Sequence, residues 1–130
     1  MSVVLWGSDT SHLKKHLEHA LEQAGCGREL IVETTMDALR ARLVSHRPEI
    51  EALILCPRSA QEMTAMIELR PLLAGLRVLV LLPENTCDNV TLAHLLAPRY
   101  AAPANGDPND LAAVLLNMLR HEASARQDPM

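Results

Sequence analysis

Short apolar runs alternate with stretches of helical periodicity along the whole chain, and this alternation constrains the fold more than any other feature. The runs are VVLW at residues 3–6, ELIVET at 29–34, EALILC at 51–56 and RVLVLL at 77–82, followed by the weaker RYAAPA at 99–104. Each is too short for a stable helix and, in its middle, too continuously apolar for a wet surface, as strands buried on both faces are. The intervening segments have apolar residues three and four apart. Leu13, Leu17, Ala20, Leu21 and Ala24 make one such face over residues 11–24.

Punctuation between the elements is equally regular. Gly25 and Gly27 stop the first helix, and Thr34 with Asp37 three residues on resembles a capping box for the second. Pro48 closes that second helix. A third helix spans about residues 60–73, with Pro71 breaking its last turn, and a fourth lies near 88–96 before Pro98. In DPNDLAAVLLNMLRH, Asp107 is a helix N-cap, Pro108 the first helical residue and Asp110 a first-turn acid. The polar segment 123–130 is an expected frayed tail, which leaves one domain over 1–122.

Five strands alternating with five helices imply an α/β fold, a parallel sheet covered on both faces. The economical arrangement at this length is a doubly wound sheet of flavodoxin-like order 2-1-3-4-5. Its functional crevice is expected where the carboxyl ends of strands one and three diverge. RVLVLL belongs deep in that sheet and RYAAPA at its edge, where Pro103 is tolerated.

Composition excludes several roles. One Trp, one Tyr and no Phe argue against a surface that stacks bases on aromatics, and a net charge of −4 without a dense Lys/Arg block disfavours phosphate backbones. Nucleic acid is therefore not an expected partner. The longest apolar run is far too short to span a bilayer, so no membrane role is expected. Three cysteines, Cys26, Cys56 and Cys87, fit no zinc spacing, and their odd number with no signal peptide points to a reducing cytoplasm.

The lengths, the element order and the final DPNDLAAVLLNML helix resemble the CheY-like receiver domain of two-component response regulators, and the resemblance covers nearly the whole chain. It implies an acidic pair after strand one and an aspartate ending strand three, which together hold Mg²⁺. That aspartate accepts a phosphoryl group from a histidine kinase. A hydroxyl ending strand four and a lysine ending strand five then sense it. Mg²⁺ takes hard oxygen ligands, and the donors stabilise the anionic oxygens. Carried onto this chain, the pair falls on Ser8 and Asp9, the acceptor on Cys56, the hydroxyl on Leu82 and the lysine on Pro103. One carboxylate is lost, a thiol is a poor magnesium ligand, and neither Leu82 nor Pro103 donates a hydrogen bond. The pattern resembles a degenerate pseudo-receiver in which neither Mg²⁺ nor any other cofactor is expected.

Other residues invite weaker chemistry. Cys56 reads either as a small packed residue or as a thiol activated by Arg58 and a nearby helix start. His12, His16 and His19 share one helix stripe, a transition-metal arrangement or a solvated flank. Asp9 caps the first helix as readily as it binds an ion. Met63, Met66 and Trp6 read as core.

The function expected from all this is non-enzymatic: a receiver-like signalling module acting through protein–protein contact. Its partner would be a histidine kinase, another regulator or a second copy in a two-fold homodimer. Tyr100 and, on the last helix, Leu111, Leu115, Met118 and Leu119 are the expected interaction surface, because with Val114 that apolar stripe is broader than one core face needs. Two alternatives stay open: a working phosphoacceptor regulator whose site lies in another register, and a thiol-based sensor using Cys56.

Overall fold

A computed structural model describes residues 2–7, 10–25, 28–83, 87–96, 98–104 and 106–127. Side chains are described for those residues except 47, 87–88 and 120–127. Among the described residues, five strands form one sheet: β1 (Ser2–Trp6), β2 (Glu29–Glu33), β3 (Ile50–Leu55), β4 (Arg77–Leu82) and β5 (Tyr100–Pro103). Their order is β2-β1-β3-β4-β5, and every pairing is parallel. This is the doubly wound, flavodoxin-like sheet that the alternation implies.

Among the described residues six α-helices connect and cover it: α1 (Ser11–Ala24), α2 (Met36–Ser45), α3 (Ala60–Ile67), α4 (Arg70–Leu73), α5 (Cys87–Leu95) and α6 (Pro108–Gln127). The expected third helix is two pieces. Pro71 has no N–H to give, and the chain restarts as α4 with proline in its first turn, where that N–H is not needed. The helical backbone of α6 continues past residue 122, where the folded domain was expected to end.

Caps decide where the helices begin. Thr35, not Thr34, caps α2: its hydroxyl accepts from the Ala38 N–H at 3.2 Å. The helix must start there for Met36, Leu39 and Leu43 to meet the sheet. Asp107 caps α6 as expected, accepting from the Asn109 N–H at 2.9 Å. Ser59 caps α3 by accepting from the Glu62 N–H at 3.2 Å. Gly25, with φ of 63°, ends α1 in the left-handed conformation that glycine adopts without cost to a Cβ.

Strand alternation sends successive side chains to opposite faces and so builds two cores. Val4, Trp6, Leu53, Leu55, Val78, Val80 and Leu82 pack under α2, α3, α4 and α5, with Met63 and Met66 fully buried among them. Val3, Leu5, Ala52, Ile54, Leu79 and Leu81 pack under α1 and α6. Each fully buried leucine in these layers contributes roughly 2 kcal/mol.

The second layer corrects one expectation. Leu111, Leu115 and Leu119 are buried, with Met118 and Tyr100 packed half-buried against the same cluster. Spaced four apart, the three leucines are the stripe by which α6 grips the sheet beside α1. The breadth that suggested a free surface is the breadth this face needs to cover β1, β3 and β4.

Candidate functional site

The winding reverses between β1 and β3, and their carboxyl ends form a crevice. Both ladders run one residue beyond the strands: the Gly7 N–H donates to the Glu33 carbonyl at 3.1 Å, and the Cys56 N–H to the Trp6 carbonyl at 2.9 Å. Gly7 and Cys56 are thereby pressed together. A Cβ on Gly7 would lie 3.1 Å from the Cys56 Cβ and 2.5 Å from the Thr10 Cγ2, so glycine is required for space rather than for a special backbone angle. In the sequence the only signal for Gly7 is a lone glycine directly after an apolar run.

Cys56 is half-buried and free, and its side chain packs on the α1/α6 layer. Burial in apolar surroundings pushes its thiol up to about 12, from an ordinary 9.0, because a thiolate there would lose its hydration. The cation that could offset this is elsewhere. Arg58 is largely exposed, and its guanidinium pairs with the Glu62 carboxylate at 3.5 Å. Its backbone N–H also donates to Glu62 Oε1, at 2.7 Å. Arg58 therefore directs both its guanidinium and its N–H to Glu62.

Beside Cys56 lies a cavity of about 480 Å³ between the start of α1, β5 and the start of α6. Leu13, Leu81, Tyr100, Ala102, Pro103 and Leu111 line it with apolar surface, and Thr10, His12, Asp107 and Asp110 add polar groups. No Lys or Arg is among these lining residues. Pro103 thus stands on the same cavity as Cys56, while Leu82 is buried in the opposite layer under α5. Ser8 and Asp9 lie outside the described residues. Asp107 and Asp110 figure in the sequence only as helix-start signals; nothing in their local spacing points to the cavity.

The three histidines are not drawn together. His12 and His19 are exposed, and the His16 ring is 2.7 Å from the Asn109 Oδ1, tying α1 to α6. Among the described residues no group of three or more His, Cys, Asp and Glu stands close enough to share a metal ion. No described helix is long and apolar enough to cross a membrane.

No protein-family model matches the chain, and no curated protein sequence matches it. Solved structures do. A CheY-like response regulator receiver domain protein from Methanospirillum hungatei superimposes with a TM-score of 0.68 at 15% identity, covering 95% of this chain and 97% of that one. A protein named for pilus assembly from Burkholderia pseudomallei gives a TM-score of 0.63 at 18% identity, covering 92% and 90%. A CpaE2 pilus assembly protein from Sinorhizobium meliloti gives 0.66 at 12%, covering 91% and 99%. The chain has the receiver fold. At such identities that likeness concerns the fold and nothing finer.

Proposed function

We propose that this chain is a non-catalytic, receiver-like signalling module that works through protein–protein contact and is not phosphorylated at the β3 rim. The observation that supports this reading is Cys56: at the end of β3, the position that the resemblance assigns to a receiver's acceptor carboxylate, this chain has a packed thiol pushed up to about 12. The neighbouring residues argue the same way. Pro103 falls where the resemblance would put a lysine to neutralise the phosphoryl oxygens, and the cavity beside it carries Asp107 and Asp110, which repel an anion.

Magnesium has little to hold it at this rim. It requires several hard oxygen ligands in octahedral array, and Cys56, Leu82 and Pro103 supply none from their side chains. The thiol-sensor alternative fares no better, since a reactive cysteine needs its pKa lowered by a cation or helix start and this one is raised. Three of the solved neighbours are named for pilus assembly, which makes an assembly machine a candidate setting beside a kinase, another regulator or a second copy.

The test is incubation with acetyl phosphate and Mg²⁺, followed by intact mass. The expected spectrum is that of the unmodified chain. A phosphoryl adduct mapped to an aspartate overturns the proposal.

A further inference from the structure

We propose that the Glu33 carboxylate is a two-position switch at the rim of the sheet, exchanging between the Arg42 guanidinium and the indole N–H of Trp6. Trp6 ends β1 and is 4% exposed, in the layer under α2, α3, α4 and α5. Among the described residues its Nε1 is a buried donor with no hydrogen-bond partner. A buried indole N–H normally finds an acceptor, and one left orphaned carries the full desolvation cost of the group. The buried side chains of that layer are aliphatic residues and methionines, which offer no strong acceptor.

One carboxylate stands beside it. The parallel ladder pairs Trp6 directly with Glu33 on β2, and strand alternation puts Glu33 on the face that Trp6 and Ile31 share. In the structure Glu33 is engaged by α2: the Arg42 Nε donates to its Oε1 at 2.8 Å, with side-chain exposures of 26% for Arg42 and 16% for Glu33. The two arrangements are closely balanced. An ion pair this near to water contributes little net, because a released Arg42 is hydrated at once. The buried Trp6 N–H has no such recourse. An acidic side chain brought against α2 from outside would take Arg42 and send Glu33 to Trp6, shifting the balance by its preference for one state. The Gly7 N–H donates to the Glu33 carbonyl, so the same residue reaches the crevice through its backbone. This deepens the contact-based role proposed above by giving contact at α2 a path to the crevice; its test uses neither partner nor phosphodonor, so its failure leaves that role standing.

The experiment follows the indole ¹H–¹⁵N signal of the labelled full chain, and Trp6 is the only Trp, so one signal reports on it. Arg42→Met keeps the aliphatic stem and a good helix former while removing the guanidinium. It should move the indole proton downfield and slow its exchange with solvent about tenfold, as gaining one hydrogen bond does. Adding Glu33→Ala to that variant should return the signal to its original position. An indole signal that stays in place in Arg42→Met overturns the proposal, and so does a shift that survives the loss of the Glu33 carboxylate.

Discussion

The two ends of the sheet place their charges at different depths. At the amino end, Glu51 is buried beside β1, and Arg28 meets it with two hydrogen bonds, at 2.9 and 3.3 Å. At the carboxyl end, Cys56 and Pro103 border a cavity carrying two aspartates and no Lys or Arg among its lining residues. The first is a compensated buried charge, held by bidentate geometry. The second leaves negative charge beside apolar surface. The carboxyl end pairs its charges too where they are partly buried, as Arg42 does with the Glu33 carboxylate at 2.8 Å, so the difference is confined to the exposed start of α6, where Asp107 caps the helix.

Removing Glu51 is the most damaging way to break that contrast. Glu51→Ala leaves Arg28, three-quarters or more buried, without its bidentate acceptor, and should cost about 3 kcal/mol. Urea unfolding of the variant measures this; a loss under about 1 kcal/mol would mean the amino end is not held by the pair.

At the carboxyl end the largest effect should come from volume, not charge. Gly7→Ala forces a methyl within 2.5 Å of the Thr10 Cγ2, and we expect a loss of about 2 kcal/mol. Thr10→Ser in the same chain removes that methyl and should restore a good part of the loss. Double-mutant analysis of the unfolding midpoints tests the coupling; simple additivity would show that the two groups do not collide.

Cys56 supplies the next step down, through pH. Its folded value is raised, so the neutral thiol is favoured by folding, and that contribution is fully present below the ordinary value of 9.0. It is lost progressively as pH rises from there toward about 12. The chain should therefore lose about 1 kcal/mol more than Cys56→Ala between neutral pH and about pH 10. Parallel slopes for the two proteins would show that the thiol is not desolvated. Near neutral pH, alkylation mapped to the Cys56 peptide should be slower than that of free glutathione.

How far the sequence foretold this contrast depends on the range of the signals involved. The strands and their order were legible because alternation, strand length and right-handed crossovers leave few arrangements. Cys56 at the rim followed directly. The twin threonines at 34 and 35 did not reveal which one caps α2, since both are good caps and only packing of Met36 and Leu39 chooses. The α6 stripe misled because the width of a core face depends on the neighbouring helix, and α1 stands beside α6 on the same layer. The Arg28–Glu51 pair joins residues 23 apart, and the cavity joins α1, β5 and α6; neither leaves a local pattern.

The smallest effect separates the two uses of one residue. Asp107 both caps α6 and contributes charge to the cavity. Asp107→Ala removes the acceptor for the Asn109 N–H and should cost about 1 kcal/mol. Asp107→Asn keeps a side-chain oxygen in reach of that N–H, so its cost should stay within about 0.5 kcal/mol. If the two variants prove equally destabilised, the charge itself steadies the start of α6, and the carboxyl end is less unlike the amino end than the cavity implies. If only the alanine variant suffers, the cap works through the side-chain oxygen alone and the negative charge is dispensable for folding.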